Sequence, residues 1–125
     1  MKTWNLKFAS YKSPDDIFNL IEDGTKTIET RPLDINSEGH YEHINVGDEL
    51  VMTSLDSGKV IKRTVKFVHT YKSINEMVNN EDPNAIFPGV ETSEALLKIY
   101  EEVKFKWGSD YKYRVEHYGI AAIGI

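Results

Sequence analysis

The chain contains no cysteine. Disulfides, thiolate metal sites and a cysteine nucleophile are excluded by that absence. It also fits a reducing compartment, so a cytoplasmic location is expected. No apolar run approaches the roughly 18 residues of a membrane-spanning helix, and no membrane partner is expected. Met1 to Asn5 leads into no continuous apolar stretch after Lys2, which gives no secretion signal. An excess of positive charge is missing too. Fifteen Lys and Arg stand against 20 Asp and Glu, a net charge of −5. Bulk binding to duplex nucleic acid rests on many cationic phosphate contacts, so it is not expected. Any nucleic-acid function must come from a local patch acting on a small piece of ligand.

Repeats, low-complexity tracts and long linkers are lacking as well, so residues 1–125 read as one domain. What is present suits a folded chain. Hydrophobic residues make up 40% and charged residues 28%, enough to build a core without metals or disulfides.

Residues 3–10 alternate, with Trp4, Leu6 and Phe8 on one side, which predicts a strand with one buried face. Ser13-Pro14-Asp15-Asp16 then opens a helix, with serine as cap and proline in the first turn. Ile17, Leu20 and Ile21 supply its buried stripe, with Phe18 beside them, and Gly24 ends it. Residues 25–31 form a second strand, stopped by Pro32. Residues 33–46 read as a loop and Gly47-Asp48 as a turn. Strands follow at 49–55 and 59–71, joined by a hairpin through Asp56-Ser57-Gly58. Ser73 caps a helix to about Asn80, with Glu76 as capping-box partner. Residues 81–90 carry two prolines and read as a loop. Thr92 caps a helix over 93–103, with Leu96, Leu97, Tyr100 and Val103 on its apolar side. Two strands close the chain, near 112–117 and 119–125. Short strands interrupted by helices, rather than alternating with them, predict an α+β fold with a mixed or antiparallel barrel, not a doubly wound parallel sheet.

One segment resembles a known family. Gly24-x-Lys26-x-x-Glu29-x-Arg31, after a short amphipathic helix, resembles the G-x-K-x-x-E-x-R motif of ASCH domains. The resemblance extends to the Gly47-Asp48 turn, to the helical insert of residues 73–103 and to the closing Tyr118-Gly119-Ile120-Ala121-Ala122-Ile123. It implies a PUA-like β-barrel, with a helix before the motif strand and a cleft beside it. It also implies RNA or a small nucleotide-like ligand as partner, with no cofactor. Some small members are amidohydrolases acting on N4-acetylcytidine, and others are ribonucleases. In those amidohydrolases the resemblance places a threonine nucleophile where this chain has Glu29. The route left here is water attack with Glu29 as general base. Their later acidic partner falls in the insert, where Glu91 is the candidate, with Glu94 beside it.

Strand geometry puts Glu29 and Arg31 on one face, with Ile28 and Thr30 on the other. Arg31 could hold a phosphate or base edge by two parallel hydrogen bonds. Lys26 could act as general base or nucleophile if burial lowers its pKa, and Glu29 could orient it or carry a proton. The alternative is a salt-bridged trio that fixes the barrel rim. In the following loop, His40 suits acid–base work and Tyr41 stacking on a base. His43 reads as solvated. The H-x-x-H spacing lacks a third ligand at a recognisable distance, so no metal is expected. Tyr71, at a strand end, is a further candidate for stacking. Lys104, Lys106, Lys112 and Arg114, interleaved with Phe105, Trp107, Tyr111 and Tyr113, read as a solvated face with a nucleic-acid strip as the alternative.

Overall fold

A computed structural model describes residues 1–33, 41–103 and 111–125. Two three-stranded sheets carry helices between and around them, an α+β arrangement with no closed barrel among the described residues. Strand β1, Thr3–Phe8, buries Leu6 and Phe8 and leaves the alternate residues exposed, as period-2 patterning requires. It lies parallel to β3, Glu49–Ser54, which pairs antiparallel with β4, Val60–Thr64. The second sheet is antiparallel in the order β2–β6–β5, with β2 at Ile28–Pro32, β5 at Phe67–Tyr71 and β6 at Ile120–Gly124. Strand β6 is central and every residue in it is buried, which is why its sequence is continuously apolar rather than alternating.

The stretch 59–71 is two strands, not one. Val65 N–H donates to Asp48 O at 2.9 Å, in line with the first sheet. Lys66 N–H donates to Gly124 O at 2.8 Å, at the end of the second. Consecutive amides thus bond to different sheets, and the chain crosses between them at this point.

Helix α1, Asp16–Glu22, buries Ile17, Phe18 and Ile21. Its start is organised by Asp16 rather than capped by Ser13. The Asp16 carboxylate accepts the N–H groups of Tyr11, Lys12, Ser13 and Ile17 at 2.6–3.2 Å. Its end follows the expected pattern, with Gly24 at φ +85° after the last turn. Helix α2, Ile74–Asn80, is capped by Ser73, whose hydroxyl accepts Glu76 N–H at 3.1 Å. Residues 81–90 are not all loop. Pro83–Ile86 form a short helix, α3, because Asp82 accepts Asn84 N–H at 3.1 Å and proline suits the first turn. Helix α4 spans Ser93–Val103, with Thr92 Oγ1 accepting Ala95 N–H at 3.1 Å.

The expected strand near 112–117 is a helix, α5, at Tyr111–Tyr118, packed on β2. Its alternating sequence misleads. Val115 is fully buried while Tyr113 stays exposed.

Candidate functional site

The residues between α1 and β2 are held from several sides. Lys26 N–H donates to Leu20 O at 2.9 Å, Thr27 N–H to Ala85 O at 3.0 Å, and Ile125 N–H to Thr27 O at 2.9 Å. Strand β2 therefore begins at Ile28, and Lys26 sits at the corner before it, under α3.

This corner assembles the three charged residues of the motif. Glu29 stands between two cations. Its Oε1 lies 3.6 Å from Lys26 Nζ and accepts Thr30 N–H at 2.9 Å. Its Oε2 accepts from Arg31 Nε at 3.3 Å and Nη2 at 3.0 Å. Arg31 Nη2 also donates to Lys7 O at 2.8 Å, and the guanidinium lies 4.7 Å from the Phe8 ring centre. Such a planar cation stacks well on an aromatic face. Thr30 points the other way, as alternation requires, and its hydroxyl bonds the Tyr100 hydroxyl of α4.

Lys26 is 5% exposed. Its ammonium donates to Ile28 O at 2.7 Å and to Ile86 O in α3. Burial pulls its pKa below the ordinary lysine value. The Arg31 charge pushes in the same direction, while Glu29 opposes both. The arrangement can do two things. It crosslinks α3 to the motif strand, and it holds a desolvated amine beside a carboxylate, as general-base chemistry requires.

The other sequence candidates are more scattered. Tyr41 is buried in the core, in a 3-10 turn at Tyr41–His43. His40 lies outside the described residues, as do Lys104, Phe105, Lys106 and Trp107. Glu91 and Glu94 are exposed, and neither hydrogen-bonds nor ion-pairs with Lys26 or Glu29. Tyr71 aligns with Pro32 through Ile120, which puts it across the sheet from the end of the motif strand. Two strand spacings separate these backbones by about 10 Å. The Tyr71 hydroxyl donates to Glu81, and burial followed by that carboxylate raises its pKa to about 12.

Sequence reasoning missed two features. Glu81 read as a loop residue, yet its side chain is 6% exposed and takes both Tyr71 and His69 Nδ1, the latter at 2.8 Å. The signal was thin, a carboxylate directly after a helix end. The second is a cleft of about 460 Å³ that opens beside the α1–β2 corner. It is lined by Gly24, Lys26 and Thr27 from the corner and by Lys62, Arg63 and Lys66 from residues 62–66. A signal existed here. Residues 57–75 carry five Lys or Arg and no Asp or Glu, in a chain that is acidic as a whole.

No protein-family model matches the chain, and no curated protein matches it. Solved structures do. The crystal structure of hypothetical protein PH0355 is similar over 98% of this chain and 95% of that one, at 27% identity and a TM-score of 0.71. The solution NMR structure of Protein PF0455 from Pyrococcus furiosus covers 98% of this chain and 94% of its own, at 25% identity and a TM-score of 0.60. The likeness spans nearly the whole chain, so the α+β architecture built around the motif strand is one that solved proteins share.

Proposed function

We propose that the chain is an ASCH-type domain on a PUA-like fold, binding RNA or a nucleotide-like ligand at the corner of residues 24–31. One observation supports the reading: Lys26, paired with Glu29, also borders a cleft lined by Lys62, Arg63 and Lys66. Arg31 keeps 20% of its side chain exposed, so it is the member of the trio with most access to solvent. Its Nε and Nη2 are committed to Glu29 and Lys7, which fixes the plane of the fork. Titration of uridine, uridine monophosphate and a short oligouridylate against wild type, Arg31→Lys and Arg31→Ala tests this. Weaker binding in both variants is expected. Equal affinity in all three proteins removes Arg31 from the site.

A second reading is hydrolysis of an acylated cytidine or related amide through Lys26 and Glu29. The lowered pKa of Lys26 favours it, because burial shifts the amine toward the neutral form that can accept a proton. Incubation with N4-acetylcytidine would show turnover in the wild type and none in Lys26→Met. Absence of turnover in the wild type ends this reading and leaves the binding one.

A further inference from the structure

The cleft beside the α1–β2 corner has an unusual charge for this protein. Its lining residues include the cations Lys62, Arg63 and Lys66 and one carboxylate, Glu49, besides Lys26, whose ammonium is bound to the carbonyls of Ile28 and Ile86. The net charge of those side chains is positive, in a chain whose formal charge is −5. Random placement on an acidic surface does not favour such a cluster. A concave site of one sign focuses the field on an incoming counter-ion.

The backbone that carries these cations is held in both sheets. Lys62 pairs in register with Val51, and Arg63 with Leu50, so both belong to the β3–β4 ladder. The Lys66 amide is bound to the end of β6. Arg63 is already committed. Its Nη2 donates to Ile21 O at 3.2 Å and Glu22 O at 3.3 Å, the last carbonyls of α1, and its Nη1 donates to Lys62 O at 2.9 Å. It satisfies the helix end and holds that helix against β4. Lys62 and Lys66 are different. Both are exposed, and among the described residues neither has an ion-pair partner. At the corner, Gly24 leaves open space where a Cβ would stand. A volume of about 460 Å³ falls in the range of small-ligand sites.

From this we infer that the cleft is an anion site, that Lys62 and Lys66 are its contacting residues, and that it takes the phosphate of the ligand bound at residues 24–31. That the phosphate belongs to a nucleotide or RNA rests on the functional reading above. The preference for phosphate rests only on the cleft. Lysine suits the task as a mobile point charge with three donors.

Calorimetric titration with inorganic pyrophosphate tests the site without reference to any base. Uridine monophosphate, uridine and a short oligouridylate are titrated in parallel against wild type, the double variant Lys62→Gln/Lys66→Gln, and Lys98→Gln. Lys98 is an exposed lysine on α4, outside the cleft. Pyrophosphate is expected to bind wild type and Lys98→Gln alike, and the double variant about tenfold or more weaker. The slope of log affinity against log salt for the oligouridylate should flatten by about 1.4 in the double variant, at about 0.7 per lost phosphate contact. Uridine affinity should be unchanged. Both lysines are exposed, so the double variant should keep the wild-type melting temperature. If pyrophosphate fails to bind wild type, or binds the double variant equally well, the anion site is overturned. If pyrophosphate binding is lost in the double variant while neither uridine monophosphate nor oligouridylate binds wild type, the anion site stands and the nucleotide reading falls.

Discussion

The side-chain amine of Lys26 donates to the backbone carbonyl of Ile86, 60 residues further along the chain. That bond, with a second to Ile28 O, ties α3 to the start of the motif strand. Removing the amine leaves two carbonyls without their donor and Glu29 without one of its cations. Lys26→Ala should therefore cost about 3 kcal/mol in urea unfolding, and Lys26→Met less, because it retains the apolar stem.

The same residue sets a pH dependence. The folded pKa of Lys26 lies below the ordinary value of 10.5, chiefly through burial. Between those two values the unfolded chain binds the proton more tightly than the folded one. The contribution of Lys26 to stability therefore rises with pH from its folded pKa up to 10.5. The stability difference between wild type and Lys26→Met, measured as pH rises toward 10.5, should shift in favour of wild type. A flat difference would mean that the amine titrates normally.

Asp48 gives a second dependence of the same sign at low pH. Its carboxylate accepts Lys2 N–H at 3.0 Å, the Trp4 indole at 2.9 Å and Asn45 N–H at 3.0 Å. These bonds, led by the Lys2 amide, hold its pKa down at about 2. The stabilisation is present above the ordinary carboxylate range and is lost as pH falls through about 2. Asp48→Asn should melt lower than wild type at neutral pH, with the gap closing toward pH 2. A gap that persists unchanged would place the effect in packing, not charge.

The buried hydroxyl pair Thr30 and Tyr100 links the back of the motif strand to α4. Tyr100→Phe and Thr30→Val should each cost about 1–2 kcal/mol, since each removes one hydroxyl of a buried hydrogen-bonded pair. The double variant should cost less than the sum. Strict additivity in denaturant unfolding would show that the two hydroxyls do not interact.

Gly119 sits at φ +94°, and a Cβ there would lie 2.7 Å from Tyr71 O. Backbone conformation and close approach act together at this corner. Gly119→Ala should destabilise by more than about 2 kcal/mol. Gly47→Ala shares a positive φ of +92° but meets no neighbouring atom, so it should cost clearly less. Equal melting temperatures for the two variants would refute the steric part of this argument.

Local physics is legible in the residues themselves. Alternation placed β1, serine and threonine caps placed α2 and α4, and Gly24 marked the end of α1. Each of these depends on neighbours a few positions apart. The motif spacing also put Glu29 and Arg31 on one face, and they bond as that geometry requires. Long-range partners are not legible in this way. Val65 and Lys66 change sheets because Asp48 and Gly124 accept their amides, and neither acceptor is near in sequence. Residues 111–118 alternate like a strand but pack as a helix on β2, with Val115 buried. The motif segment of residues 24–31 could be picked out by spacing alone. Only the tertiary structure buried its lysine under Ile86 and brought the cations of β4 to the same cleft, because burial and electric field depend on what the rest of the chain brings alongside.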